Sequence, residues 1–126
     1  MSAQWDPVEL AAIGAADELR IASRRRDGSL STSVTIWCVA LHGVVVVRSA
    51  YGAESRWYRR ALARGAGRIS AAGIERDVRF QSGDHFDQEL VDEAYRRKYA
   101  RYPDAVVRTV AGEHVHGLSL IVTPSG

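Results

Sequence analysis

Three consecutive arginines, Arg24-Arg25-Arg26, stand directly before an Asp27-Gly28 pair. On a strand, Arg24 and Arg26 point one way and Arg25 the other. Guanidinium forks fixed on one face suit a phosphate, which they grip through paired N–H donors. The plainer reading is a charged strand end before a solvated turn. A second anion candidate is Arg48-Ser49-Ala50-Tyr51-Gly52, which runs toward a helix. A strand end, a glycine-containing loop and a helix N-terminus present free backbone N–H groups and the positive end of the helix dipole. Arg48 adds a charge there and Ser49 a hydroxyl donor. Trp57 and Tyr58 offer ring faces for stacking, and Arg59 and Arg60 offer cations. The alternative for these four is core packing on one helix face and solvated charge on the other.

Acid–base candidates gather further along. Tyr95, Lys98 and Tyr99 share one side of an expected helix. A lysine among apolar neighbours can take a lowered pKa and act in catalysis, with Tyr95 beside it, or it can snorkel to water. His114 and His116 alternate along an expected strand and so share a face. Two histidines can begin a metal site, but no third ligand stands at a sensible spacing, so no metal is expected. His85 with Asp84 and Asp87 is a loop cluster. Cys38 sits in an apolar run, where a buried, inert thiol is expected. No nucleophile elbow, phosphate-binding P-loop or dinucleotide fingerprint is present.

The elements that must position these residues are legible in part. Asp6-Pro7-Val8-Glu9 reads as a helix start, with Asp6 as N-cap, Pro7 at the first position and Glu9 closing a capping box. Gly14 is expected to end it. Leu19 to Arg26, Asp27-Gly28 and Ser29 to Leu41 read as a hairpin. A turn at His42-Gly43 leads into Val44 to Arg48, making a three-strand meander. On the second strand Val34, Ile36, Cys38 and Ala40 share one face, and Thr35, Trp37, Val39 and Leu41 the other. A half-buried strand should alternate apolar with polar. Here both faces are apolar, so one faces a barrel interior and the other is covered by a helix, a cofactor or a partner subunit. A helix is expected over 54–63 with the stripe Trp57, Tyr58, Ala61, Leu62 and a Gly65 cap. Strand segments are expected from Arg68 to Ala72 and from Ile74 to Phe80. Asp87 is expected to cap a helix reaching Ala100, with Asp92–Arg96 and Glu93–Arg97 pairs. Closing strands are expected at Val106 to Val110 and Leu118 to Thr123. The absence of regular strand–helix alternation points to a mainly β fold, a small barrel with flanking helices, in one domain spanning 1–126.

The bulk numbers agree with this. At 126 residues, 46% apolar and 25% charged, the chain can build one core. A net charge of +2 is too small to suggest nucleic acid without clustering. One cysteine permits no internal disulfide. No leader or membrane span is expected, which points to the cytoplasm.

Several segments together carry a family resemblance. They are Leu19 to Gly28, Val34-Thr35-Ile36-Trp37, Val47 to Gly52, Trp57-Tyr58-Arg59, Ala71 to Phe80 and Ala94 to Tyr99. In this order and spacing the chain resembles the bacterial family called domain of unknown function 2255, from about Leu19 to Pro124. More loosely it is similar to the flavin-binding split β-barrels, among them pyridoxamine phosphate oxidase-like proteins and deazaflavin-dependent nitroreductases. It departs from the latter where they commonly show a Gly-Gly turn and an Asn-Leu pair. Here Tyr51-Gly52 and Arg60-Ala61 stand instead.

The resemblance implies a flavin- or deazaflavin-dependent oxidoreductase acting on a small organic molecule, and the two-sided apolar pattern points to a homodimer. The phosphate candidates read from the residues, Arg24, Arg26, Arg48, Ser49 and Arg60, would then anchor the cofactor. The second strand, Ser33 to Ile36, would lie along the ring edge, with Thr35, Trp37, Tyr51 and Trp57 as ring contacts. Two other functions remain open: a cofactor-free isomerase or cyclase on the same barrel, with Tyr95, Lys98 or His116 as acid or base, and a non-catalytic ligand-binding module. Neither a nucleic-acid nor a membrane partner is expected.

Overall fold

The computed structural model describes residues 4–125. Helix α1 (Pro7–Ala15) starts as its sequence dictates: Asp6 caps it by accepting from the Val8 N–H, and Pro7 sits where its missing N–H is harmless. It runs one residue past Gly14. The capping box does not form. Glu9 instead pairs with Arg76 at 2.8 Å, because a guanidinium fork is a stronger partner than a backbone N–H.

Strands β1 (Leu19–Ser23), β2 (Val34–Ile36), β3 (Cys38–Leu41) and β4 (Val44–Arg48) follow. After helix α2 (Arg56–Arg64), β5 (Ala66–Ala71) and β6 (Ile74–Ser82) form a hairpin. Helix α3 (Gln88–Lys98), the short α4 (Asp104–Val107) and a 3-10 segment (Glu113–Leu118) lead to β7 (Ser119–Pro124). Every ladder is antiparallel, in the order β2-β1-β5-β6-β7-β4-β3.

β2 and β3 lie at opposite ends of this order, although only Trp37 separates them in sequence. The expected second strand is one segment that changes partner at Trp37. Its first half pairs with β1 (Leu19↔Ile36) and its second with β4 (Cys38↔Val47). The expected meander is therefore two hairpins meeting at a corner, and that corner nearly closes the sheet into a barrel.

The two-sided apolar pattern finds both its covers. Cys38, Val45 and Val47 face the interior with Leu19, Ile21 and Ile69, joined by Ile13 from α1 and Tyr58 and Ala61 from α2. Val39 and Val46 face outward onto Val91 and Tyr95 of α3, onto Tyr99 at its C-terminal cap, and onto Val107, Val110 and Ala111. Each such aliphatic side chain stabilises the fold by about 1.5–3 kcal/mol when fully buried. Of the expected α2 stripe, Leu62 instead faces solvent.

The strand expected at Val106 to Val110 is replaced by α4 and the turn after it. Pro103 caps that turn and Asp104 opens it. Val107, Val110 and Ala111, three and four apart, reach one apolar surface as a helical turn requires and a strand cannot. His114 and His116 likewise sit in a 3-10 segment, not on one face of a strand. Gly65 takes the left-handed cap conformation (φ 69°) expected of it. At Gly67 a Cβ would come within 2.0 Å of the Ala22 carbonyl oxygen, so the approach of β1 and β5 needs glycine. No helix among the described residues is long and apolar enough to cross a membrane.

Candidate functional site

A cavity of about 300 Å³ opens beside the barrel corner. Five residues singled out from the sequence meet there: Thr35, Trp37, Arg48, Tyr51 and Trp57. They come from β2, the corner, the end of β4, the following loop and the first turn of α2. Val106, Thr109 and Val110 complete the wall and were missed, because their segment read as a strand. Two indoles and few polar groups make a wall suited to a planar ring.

The corner is held from behind. Trp37 lies flat on Tyr99, with ring centroids 3.9 Å apart and planes at 5°, and Tyr102 adds a tilted contact at 4.9 Å. A change of ladder partner orphans backbone groups, and α3 supplies what is missing. The Tyr99 hydroxyl accepts from the Cys38 N–H at 3.2 Å and donates to the Asp17 carbonyl at 2.9 Å. Tyr95 donates to the Trp37 carbonyl at 3.3 Å, and Lys98 Nζ to the Cys38 carbonyl at 2.6 Å. Burial pushes the Tyr95 and Tyr99 phenols well above the usual range and holds the Lys98 amine below it. Neither Tyr95 nor Lys98 lines the Trp37–Trp57 cavity. Lys98 lines a separate, open groove of about 660 Å³ between α1 and α3. Cys38 is buried, and burial raises its thiol pKa, as expected of an inert cysteine.

Arg48, expected to hold a phosphate, has no N–H donor left for one. Its guanidinium is fully buried, and an arginine has five N–H donors. Nε donates to Ser119 Oγ at 2.9 Å. One terminal nitrogen donates to Asp92 and, at 2.9 Å, to the Val110 carbonyl. The other donates to the Gln88 carbonyl and to Gln88 Oε1, at 3.2 and 3.0 Å. Every donor is spent inside the protein. Asp92, expected to pair with Arg96 on the helix surface, faces inward and takes Arg48 and His116 as partners. The Glu93–Arg97 pair forms at 2.6 Å as expected. Ser49 is also committed, its hydroxyl donating to the Gly52 carbonyl.

The other candidates lie elsewhere. Arg24 donates to the Gly28 carbonyl at 2.9 Å and pairs with Asp77 at 3.1 Å. Arg26 is exposed at the hairpin tip. Ser33 lines a different depression, with Arg20 and Arg68. Arg60 is exposed on α2, three residues after Trp57 and so on the same helix side.

Residues 9–120 match the sequence profile of uncharacterized proteins conserved in bacteria, DUF2255. The chain belongs to that family. No curated protein matches it in sequence. Among solved structures, the DUF2255 chain is similar to the conserved hypothetical protein Rv2991 from Mycobacterium tuberculosis. The TM-score is 0.64 at 11% identity, over 99% of this chain and 84% of that one. It is also similar to a structure described as an F420 reductase, with a TM-score of 0.55 at 17% identity, over 92% of each chain. At these identities the likeness is one of fold. The fold of this DUF2255 member is the flavin-type split β-barrel expected from its motifs.

Proposed function

We propose that this protein binds the ring system of a deazaflavin or flavin between Trp37 and Trp57 and acts as an oxidoreductase on a small organic substrate. The observation that carries the reading is the cavity itself, walled by two indoles and containing no acid–base pair or nucleophile. Such a site suits a cofactor that brings its own chemistry. The fold likeness to a protein described as an F420 reductase favours a deazaflavin over flavin mononucleotide.

The residues present fit the ring. The cavity, at about 300 Å³, is at the small end of ligand pockets and takes a planar ring better than a whole nucleotide. The phosphate has no buried cation here, since Arg48 is fully engaged. Arg60, with Arg56 beside Trp57, is the anchor within reach of the same helix. When bound, the cofactor supplies hydride transfer. The chain's own residues do the rest: Trp37 and Trp57 stack and exclude water, Thr35 offers a hydroxyl to ring-edge groups while Thr109, whose O–H is donated to the Val106 carbonyl at 2.6 Å, can only accept, and Tyr95, Lys98 and Tyr99 fix Trp37. The cavity mouth carries exposed Val34, Tyr51 and Val106, and the free edge of β2 borders it, which favours a homodimer closing over the ring. The single cysteine, buried and unpaired, suits the reducing cytoplasm.

The engagement of Arg48 favours one second reading, a pocket for a planar ligand without a phosphate. Quenching titrations with flavin mononucleotide, riboflavin and a deazaflavin separate the two. Micromolar, saturable binding of a phosphorylated cofactor, tighter than riboflavin, supports the proposal. Riboflavin binding as tightly as the mononucleotide favours the second reading. Failure of all three to bind overturns both.

A further inference from the structure

Glu89 and Asp92 are three residues apart on α3, and the fold brings His116 of the 3-10 segment against them. One ligand atom from each lies within 4.8 Å of the other two. We propose that these three side chains form a binding site for a divalent transition-metal ion. This inference stands apart from the ring-binding reading and shares no ligand with it.

The arrangement is that of a braced coordination set. Asp92 Oδ1 is fixed from inside by Arg48 and by the Gly112 N–H at 3.0 Å. Metal-binding carboxylates are held by just such outer partners. Its Oδ2 lies 2.8 Å from His116 Nε2. Neighbouring ligands on an octahedral ion with bonds of ~2.1 Å stand ~3 Å apart. The His–Asp spacing therefore already matches two adjacent coordination positions, and an ion would replace the proton shared between them. Asp92 is buried, His116 is 23% exposed and Glu89 is open to water. An ion thus has a path from solvent, a fixed inner ligand and an outer carboxylate to close on it. Arg48 neutralises one of the two carboxylates, which leaves one net negative charge with a neutral imidazole. One imidazole with two carboxylates suits zinc, cobalt or manganese, whereas calcium and magnesium prefer all-oxygen sets. Three protein ligands leave positions for water. A bound ion would tie the 3-10 segment to α3.

The test is a cobalt(II) titration of the chelator-treated protein, following the visible d–d band, with the thermal midpoint in zinc(II) as second readout. One ion per chain is expected, with a raised midpoint. Glu89→Gln, a solvent-exposed change that leaves the fold intact, and His116→Ala should each weaken binding at least tenfold. His114→Ala should not change it. Unsaturable binding, or affinity unaltered by either Glu89→Gln or His116→Ala, would overturn the site.

Discussion

Trp37 rests face to face on Tyr99, with ring centroids 3.9 Å apart, and the same Tyr99 hydroxyl holds the backbone of Cys38, one residue on. One face of the indole is thereby occupied, so the cavity is served by its remaining face and edge. Tyr99→Phe keeps the stack and orphans the Cys38 N–H. An unpaired buried donor costs about 1–3 kcal/mol, and urea unfolding followed by tryptophan emission should read a loss in that range. Tyr99→Leu removes the stack as well, and ring affinity should fall along with stability.

Arg48 makes a contrasting prediction. The residue was legible as a cation at a strand end, and its type suggested an anion ligand. The structure turns it inward onto Asp92 and Gln88. Removing one partner of a buried pair costs about 3–5 kcal/mol, so Arg48→Met should destabilise by that order in a denaturant melt. Arg48→Lys should rescue little, because an ammonium cannot serve acceptors spread around a planar fork. A neutral effect of Arg48→Met on stability, with loss of ligand binding instead, would restore the anion role.

The same network sets an acid limit. Burial alone would raise the Asp92 carboxyl, but hydrogen bonds from His116, the Gly112 N–H and Arg48 outweigh it and hold the pKa below the usual value. A folded pKa below the unfolded one contributes stability above the ordinary carboxylate range, near ~3.9, and that stability is lost as pH falls through the folded value. Unfolding free energies measured between pH 7 and 3 should decline below about pH 4 in the wild type. The decline should be shallower in Asp92→Asn.

Lys98 is the chain's single lysine, so an amine-reactive reagent reports on it alone once the N-terminus is blocked. Burial holds its pKa below the usual value, and labelling should therefore set in at lower pH than in the urea-unfolded chain. As a clamp on the Cys38 carbonyl, Lys98 can be replaced by Met with ring affinity held within about twofold. A loss beyond tenfold would give it a direct role at the ring.

How far the sequence carries can be judged from particular residues. The capped start at Asp6-Pro7, the αL cap at Gly65 and the α3 cap at Asp87 depend on local chemistry and are readable. So is the need to cover both faces of Val34 to Leu41. Whether helix, cofactor or partner supplies that cover depends on contacts distant in sequence, and α3 proves to be the answer. The corner at Trp37 leaves no local mark, because a strand that changes partner has the same composition as one that does not. Asp92 carried a usable signal: it lies three residues before Tyr95, inside the apolar stripe of its helix, where a carboxylate demands a buried partner. Val107, Val110 and Ala111 were spaced for a helical turn in a segment whose β-branched content suggested a strand. Of the candidate site, the cavity wall at Thr35, Trp37, Tyr51 and Trp57 was legible. The internal engagement of Arg48 and Ser49 was not, since side-chain type says nothing about which donors are already spent.

The central claim is that a planar ring sits between Trp37 and Trp57. The most direct test is a deazaflavin titration of the wild type and of Trp57→Ala side by side. Trp57 is half-buried in the first turn of α2, and circular dichroism would verify that the variant folds. Saturable binding by the wild type with at least a tenfold weaker constant in Trp57→Ala is the predicted result. Equal affinity in the two proteins would place the ring elsewhere and contradict the account.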